Sequence, residues 1–135
     1  MEVLIRARSI GKGVGTGPLL VTDAPLSFLG GVDPATGTVI EAGHPLHGRS
    51  IAGRVLVFPH GKGSTVGSYV LYGLARNGVA PAAIVNEEAE TIIAAGALIA
   101  GIPLVDHPER PLSELPDGAV ATVDADAGEI RVGDP

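Results

Sequence analysis

Residues 53–105 follow the order strand, helix, strand, helix, strand, and this order constrains the fold more than any other feature of the sequence. The segments 53–58, 82–85 and 102–105 are mostly apolar and have the length and composition of buried strands. The stretches between them have helical spacing. Strands that alternate with helices form a parallel sheet with right-handed crossovers. The sequence therefore predicts an α/β domain.

The two predicted helices have identifiable starts and ends. The first begins at Ser64 and stops at 77–78, where Asn and Gly occupy the usual left-handed cap position. Three of its apolar residues fall on one face, at i, i+4 and i+8: Val66, Val70 and Leu74. The second helix is predicted to begin with Asn86 as its N-cap, followed by glutamates in the first turn, and to end at Gly101. Each helix would thus start soon after the strand that precedes it.

The two ends of the chain are predicted to be rich in strand. Residues 3–10 and 18–21 are predicted strands, and 11–17 is predicted to be a glycine-rich turn between them. A dinucleotide-binding loop needs a helix directly after its glycines, and a strand-like run follows here instead. A predicted hairpin at 119–132 closes the chain. The terminal strands would form a second sheet or a barrel-like layer within one domain over residues 1–135.

The composition excludes several classes of protein. Apolar residues make up 45% of the chain and charged residues 18%, as in ordinary globular proteins. The formal net charge is −6 and there is no cluster of Lys and Arg, which argues against nucleic-acid binding. The longest apolar stretch, 92–105, is broken by glycines and a proline and is too short to cross a bilayer. Met1 leads directly into strand-like residues rather than a signal peptide, so the expected location is the cytoplasm.

The absence of cysteine restricts the chemistry further. Neither a disulfide nor a thiolate nucleophile can form, and an iron–sulfur cluster would need thiolate ligands from another chain. The histidines are scattered along the sequence: His44, His47, His60 and His107. We therefore expect no metal site in this chain.

The junction between the strand at 53–58 and the helix after it is the strongest candidate site. Ligands of α/β proteins bind at the carboxyl ends of strands, and the free N–H groups of a helix N-terminus favour an anion there. Gly61 and Gly63 are predicted to let the backbone approach a ligand, and Lys62 adds a positive charge. The same surroundings favour the ionised form of the Ser64 hydroxyl. Ser64 is therefore either a reactive group or only an N-cap.

Two well-known catalytic loops do not fit this junction. Lys62 is followed by Gly63 rather than by Ser or Thr, so the loop is not a nucleotide-binding Walker A loop. A Ser-His-Asp hydrolase would place its serine in a G-x-S-x-G elbow, which the sequence lacks.

A second candidate is the loop at 27–37, which contains large apolar residues. Asp33 and the proline after it are typical of a type I turn. Either Phe28 and Leu29 fill the edge of the core, or the loop meets a partner surface or the substrate. A short strand at 38–41 is predicted to follow.

Three segments of the sequence, at 25–37, 50–72 and 80–105, resemble the small subunits of the aconitase-X superfamily. The resemblance covers about residues 1–132, and its most specific part is G-K-G-S-T-V-G-S-Y at 61–69. Bacterial members tend to carry a serine-rich stretch after the glycine loop. The Thr-Val-Gly found here instead favours the archaeal branch, whose substrate is (R)-5-phosphomevalonate.

The resemblance implies a fold, a partner and a reaction. The implied fold is a swivelling β/β/α domain similar to the C-terminal domain of aconitase. The implied partner is a large subunit that holds an iron–sulfur cluster on its own cysteines, so no cofactor is expected on this chain. The implied reaction is the loss of water from (R)-5-phosphomevalonate to give trans-anhydromevalonate 5-phosphate.

The resemblance also implies roles for individual residues. Ser64 matches the base serine in the G-x-G-S-S-R motif of aconitase and is expected to remove the proton next to the substrate carboxylate. The residues expected to bind the substrate surround it: Gly61, Lys62, Gly63 and Thr65. Val66 stands where aconitase has a substrate-binding Arg, so the carboxylate would be recognised by Lys62 or by the large subunit.

Three other functions stay open at this point. The nearest is a related dehydratase that acts on a hydroxyproline. A swivelling phosphohistidine carrier is the second, although the helix expected at 89–100 contains no His. A non-catalytic binding domain is the third, for the case in which Ser64 only caps its helix.

Overall fold

The computed structural model describes residues 2–133, which form eight strands, two α-helices and one 3-10 turn. The strands are β1 (Val3–Arg6), β2 (Arg8–Ser9), β3 (Val14–Val21), β4 (Val55–Phe58), β5 (Ala83–Asn86), β6 (Leu104–Asp106), β7 (Val120–Asp124) and β8 (Glu129–Val132). The helices are α1 (Gly67–Arg76) and α2 (Thr91–Ala100), and the 3-10 turn is Leu112–Glu114.

The predicted β-α-β-α-β unit is confirmed. β4, β5 and β6 pair in parallel in that order, and α1 and α2 connect them. The second half of β3 extends this parallel part by pairing with β4. The first half of β3 pairs antiparallel with β7, so this strand joins the parallel strands to the predicted hairpin of β7 and β8. The fold is the mixed α/β domain that the pattern predicts.

The sheet curls until its two edges meet. The strand order is β1-β8-β7-β3-β4-β5-β6-β2, with β1 at one edge and β2 at the other. Only Ala7 separates β1 from β2 along the chain, so the two edges lie close together. The Ala7 N–H donates to the carbonyl of Gly128, in the turn between β7 and β8, at 2.8 Å. The predicted barrel-like layer is therefore present, and the single strand predicted at 3–10 is divided between the two edges.

Alternate residues of the central strands face two different hydrophobic cores. Along β4, Val55 and Val57 belong to the core inside the curled sheet. Leu56 and Phe58 belong to the core under the helices. All four side chains are fully buried. The helix-side core also takes in residues of both helices and of the loop before β4: Leu71, Leu74, Ile93, Phe28 and Ile51.

The loop at 27–37 divides its two large apolar residues between core and surface. Phe28 is only 2% exposed and packs on Phe58, with ring centroids 5.9 Å apart. Leu29 is 45% exposed. The prediction that this loop fills the edge of the core is thus confirmed for Phe28, whereas the Leu29 side chain stays accessible to a partner. The strand predicted at 38–41 is reduced to isolated bridges, because it meets its neighbours at single positions only.

The glycine-rich stretch at 11–17 is only partly a turn, contrary to the prediction. β3 starts before Gly15 and Gly17, so both lie inside a strand. A Cβ added to Gly15 would overlap the carbonyl oxygen of Ala82, and one added to Gly17 would overlap that of Gly53. The segments that lead into β4 and β5 therefore cross directly over the first half of β3. Glycine is required there because two backbones touch.

Both helices begin later than predicted. α1 begins at Gly67 rather than at Ser64, because a separate turn precedes it, in which the Ser64 carbonyl accepts the Gly67 N–H. α2 does not begin from Asn86, which is the last residue of β5 and is fully buried. Its cap is Glu90, whose carboxylate accepts two N–H groups of the first turn. Both predicted helix ends are confirmed. Within the described residues, neither helix is long and apolar enough to cross a membrane.

The buried face of α1 only partly matches the predicted one: Leu74 is buried and Val70 packs against the core, as predicted. Its buried residues are Gly67, Leu71 and Leu74, whereas Val66 is 45% exposed. The two helices meet at Gly96 of α2, where an added Cβ would lie 2.7 Å from the side chain of Leu71 and 3.0 Å from the Cα of Ser68. The absence of a side chain at this position lets the two helices pack closely.

Candidate functional site

The candidate site is the loop that runs from the carboxyl end of β4 to the start of α1. Its middle is tied to the segment before Phe28 by two backbone hydrogen bonds. The Leu26 N–H donates to the carbonyl of His60 at 3.3 Å, and the Lys62 N–H donates to the carbonyl of Leu26 at 3.1 Å. This short parallel bridge fixes the loop at the end of the sheet where α/β proteins bind ligands.

Ser64 is half-buried and lies outside the helix. The N–H of Val66 donates to Ser64 Oγ at 3.1 Å. The hydroxyl therefore orders the turn before α1, and the cap position itself is taken by Val66, without a side-chain hydrogen bond. A backbone N–H directed at Oγ stabilises negative charge on that atom, so the geometry allows Ser64 to serve as a base.

Lys62 is already paired with a carboxylate. Its Nζ lies 2.8 Å from Oε2 of Glu41, and the Ser27 N–H donates to Oε1 of the same residue at 3.3 Å. Burial alone would raise the pKa of Glu41, but the hydrogen bonds from Lys62 and Ser27 outweigh it and hold this pKa below its ordinary value. A substrate anion would have to compete with Glu41 for Lys62. Sequence reasoning missed Glu41, which no motif connects to the loop.

The glycines of the loop are explained by contacts within the chain. Gly61 is buried, and an added Cβ would lie 2.6 Å from Ile93 and 2.7 Å from the carboxylate of Glu90. Gly63 has φ +93°, and an added Cβ would lie 2.7 Å from Oγ of Ser27. Close approach of a ligand to Gly61 and Gly63 therefore stays a prediction.

Thr65 is exposed, and its carbonyl accepts the hydroxyl of Ser68 at 3.0 Å. Its side chain is thus accessible beside Ser64. The predicted contact between Thr65 and the substrate likewise stays a prediction.

The site is open on one side. Two surface cavities lie close to the ends of β5 and β6, with volumes of about 540 and 360 Å³. The smaller one reaches Pro59 and His60 at the start of the loop, and both are bordered by the turn after β5. Ser64 lines neither cavity. A substrate held against Ser64 would need a second surface to enclose it.

An ion pair between the buried Asp106 and the exposed Arg8 fixes the turn that leads into α2. The fully buried carboxylate of Asp106 accepts two hydrogen bonds from Arg8, both at 2.8 Å, and one from the Ala89 N–H, also at 2.8 Å. Burial alone would raise the pKa of Asp106, but these hydrogen bonds and the charge of Arg8 hold it below its ordinary value. Sequence reasoning missed this pair, because Arg8 and Asp106 lie 98 positions apart in the sequence.

We expect the stability of the chain to depend on pH through Asp106. A carboxyl group with a lowered folded pKa stabilises the fold fully above its unfolded pKa of about 3.9, and this contribution is lost as pH falls through the folded pKa. Asp106→Asn should lower the thermal midpoint at neutral pH and flatten its decline in acid, below roughly pH 4. Thermal unfolding across this range measures both effects. The exposed Asp23→Asn is the control, and identical pH profiles for the two variants would contradict the assignment.

The ring of His44 is held by hydrogen bonds to the protein backbone. His44 is buried, with Nε2 3.1 Å from the carbonyl of Pro25 and with Nδ1 accepting the Leu46 N–H at 3.0 Å. Among residues 2–133, no group of three or more His, Cys, Asp or Glu side chains is placed to hold a metal ion.

The chain is highly similar to known proteins over nearly its whole length. The phosphomevalonate dehydratase small subunit of Methanothermobacter thermautotrophicus is 59% identical over 128 residues, which cover 94% of this chain and 98% of that protein. The protein of the same name from Methanocella arvoryzae is 57% identical over 129 residues, covering 95% of this chain and 98% of its own length.

Solved structures and a family model agree with these relatives. The crystal structure of Thermococcus kodakaraensis aconitase X in its holo-form superposes with a TM-score of 0.93 at 51% identity, covering 98% of this chain and 99% of that one. A solution NMR structure of a UPF0107 protein has a TM-score of 0.88 at 48% identity, with 98% and 100% coverage. The family model described as the aconitase X swivel domain matches residues 4–132. The swivelling fold implied by the sequence is therefore confirmed, and the chain belongs to the aconitase X swivel domain family.

Proposed function

We propose that this chain is the small subunit of a dehydratase that converts (R)-5-phosphomevalonate to trans-anhydromevalonate 5-phosphate. The observation that carries the proposal is the set of relatives with 52–59% identity over nearly the whole chain, which are named phosphomevalonate dehydratase small subunit. They support phosphomevalonate rather than a hydroxyproline as the substrate. Their organisms also support an archaeal modified mevalonate pathway as the setting, and we propose the cytoplasm as the location.

Within this chain we assign the proton transfer to Ser64. Its Oγ would take the proton from the carbon next to the substrate carboxylate, and the electron pair of that C–H bond would form the double bond as the hydroxyl leaves. The Val66 N–H, which donates to Oγ at 3.1 Å, supports the anionic form of the base. The half-buried position of Ser64 keeps this atom accessible from the open side of the site.

The larger subunit completes the site in this proposal. The open side of the loop at 59–66 needs a surface to enclose the substrate, and we assign that surface to the larger subunit. An iron–sulfur cluster on cysteines of that subunit would supply a Lewis acid for the departing hydroxyl. This chain has no cysteine of its own. Recognition of the substrate carboxylate falls to Lys62, in competition with Glu41, or to the larger subunit.

We expect the isolated chain to fold and to show no dehydratase activity. Its two buried cores are complete, but its candidate base lies on an open surface. The purified chain, the purified larger subunit and their mixture should each be assayed for loss of water from phosphomevalonate. Activity should arise only in the mixture. Full turnover by this chain alone would refute the two-subunit account. A mixture that dehydrates hydroxyproline but not phosphomevalonate would refute the assignment of phosphomevalonate as the substrate.

A further inference from the structure

The two helices form an outer layer that is almost uncharged. α1 and α2 have ten residues each and pack side by side, and their sequences contain a single charged residue, Arg76, at the end of α1. A helix on the surface of a globular protein normally carries charged and polar residues on its outer face. In a chain with a net charge of −6, a helical layer without a carboxylate is unexpected for a surface that faces only water.

Large apolar and aromatic side chains occupy this outer face. On α1 and just before it, Tyr69 is 71% exposed, Tyr72 41% and Val66 45%. On α2, Leu98 is 54% exposed and Ile99 59%. A contiguous apolar patch of this kind marks an interaction site, and tyrosine is among the residues most enriched at the centres of protein interfaces.

The packing of the helices brings these side chains into one surface. An added Cβ at Gly67 would lie 3.5 Å from Ile92, and one at Gly96 would lie 3.0 Å from the Cα of Ser68. The start of α1 therefore lies across the first half of α2. The two helices run in the same direction because they connect the parallel strands β4, β5 and β6 by crossovers of one hand. One further turn along each helix brings Tyr72 and Ile99 to the same level.

The same surface reaches the candidate site. Val66 is two residues from Ser64 in the turn before α1. The exposed Leu29 lies beside the next residue, Gly67, where an added Cβ would lie 3.9 Å from the Leu29 backbone nitrogen. We call the whole set the helix-layer surface: Leu29, Val66, Tyr69, Tyr72, Leu98 and Ile99. One end of the helix-layer surface therefore lies beside Ser64.

We propose that the helix-layer surface is the docking surface for the larger subunit, an inference that rests on the proposed function. The candidate site is open and needs a second surface, and the helix-layer surface is continuous with it. The matching face of the larger subunit would be apolar and uncharged, with hydrogen-bond acceptors for the two tyrosine hydroxyls. A second copy of this chain on the same surface would bring no cysteine for an iron–sulfur cluster, because the sequence contains none.

The test is the affinity between this chain and the purified larger subunit, measured by titration calorimetry. Tyr69→Glu and Leu98→Glu each place a buried charge in the proposed interface, and each should weaken binding by about 30-fold or more. Both residues are largely exposed in the isolated chain, so its thermal midpoint should change little. Val120→Glu is the matched control, because Val120 is 54% exposed on β7, outside the helix layer, and its variant should bind like the native chain.

Binding of both Tyr69→Glu and Leu98→Glu within about threefold of the native chain would overturn the docking surface. So would a native chain that is dimeric in solution, becomes monomeric on Tyr69→Glu, and still binds the larger subunit normally. The experiment measures the affinity between the two subunits and not the reaction. It therefore tests the docking surface even if the complex acts on another substrate. Tyr69→Glu should also regain normal turnover when the larger subunit is raised to saturation, which a catalytic defect would not.

Discussion

Replacing Ser64 by alanine should lower the turnover of the assembled complex by about 10²–10⁴-fold, the usual contribution of a positioned general base. The substitution removes the atom assigned to take the proton and leaves the backbone turn in place. Binding of the larger subunit should be normal, because Ser64 lies beside the helix-layer surface and not in it. Single-turnover rates, together with the dissociation constant of the complex, measure the two effects separately.

Ser68 supplies the control for this experiment. It carries the same hydroxyl group and is the second residue of α1. This hydroxyl donates to the carbonyl of Thr65 at 3.0 Å. Ser68→Ala removes a local hydrogen bond but no assigned base, so turnover should stay within a few-fold of the native rate. If Ser64 only orders its turn, Ser64→Ala should cost about 1 kcal/mol of stability and leave turnover per complex unchanged. That result would refute the catalytic assignment.

Gly15→Ala should be among the most damaging single substitutions in the fold. The added methyl group would overlap the carbonyl oxygen of Ala82, and neither backbone can move without disturbing the pairing of β3. We expect a loss of about 3 kcal/mol or more in the free energy of unfolding. For a domain of this size, this corresponds to a fall of roughly 10 °C in the thermal midpoint. Chemical denaturation and thermal melting of the isolated chain both measure it.

Gly73→Ala is the matched control, and it should change the free energy of unfolding in the opposite direction. Gly73 lies inside α1, and a Cβ added there would meet no atom within 4 Å. Alanine should therefore stabilise the chain by about 0.5–1 kcal/mol through its better helix propensity. Equal melting temperatures for Gly15→Ala and Gly73→Ala would show that β3 does not carry the proposed backbone contact.

The parallel part of the fold could be predicted because its signals are local. The strand predicted at 53–58 contains the continuous apolar run 55–58, and both helices end at glycine-containing caps. The starts of the helices could not be predicted in the same way. Asn86 has the side chain of a good N-cap, but its burial at the end of β5 moves the cap to Glu90. Tertiary packing thus overrides the local preference.

The candidate site was predictable where it lies in one stretch of sequence and not where it depends on distant residues. Ser64 and its glycine loop form a recognisable motif. The partner of Lys62 is Glu41, which lies in an irregular loop without a motif. Gly15 and Gly17 were predicted to lie in a turn. A close crossing of two backbones requires glycine just as a tight turn does, so the sequence alone does not distinguish the two.

The pairing of β1 with β8 determines how this domain can be joined to another polypeptide. Val3 lies directly opposite Val132, so the two ends of the described chain are side by side at one edge of the sheet. A linker attached at either end would leave from almost the same point. A gene fusion could therefore place the domain before or after a second protein with little change in its reach. A short peptide joining the two ends would also allow a circular permutant to begin at an exposed loop.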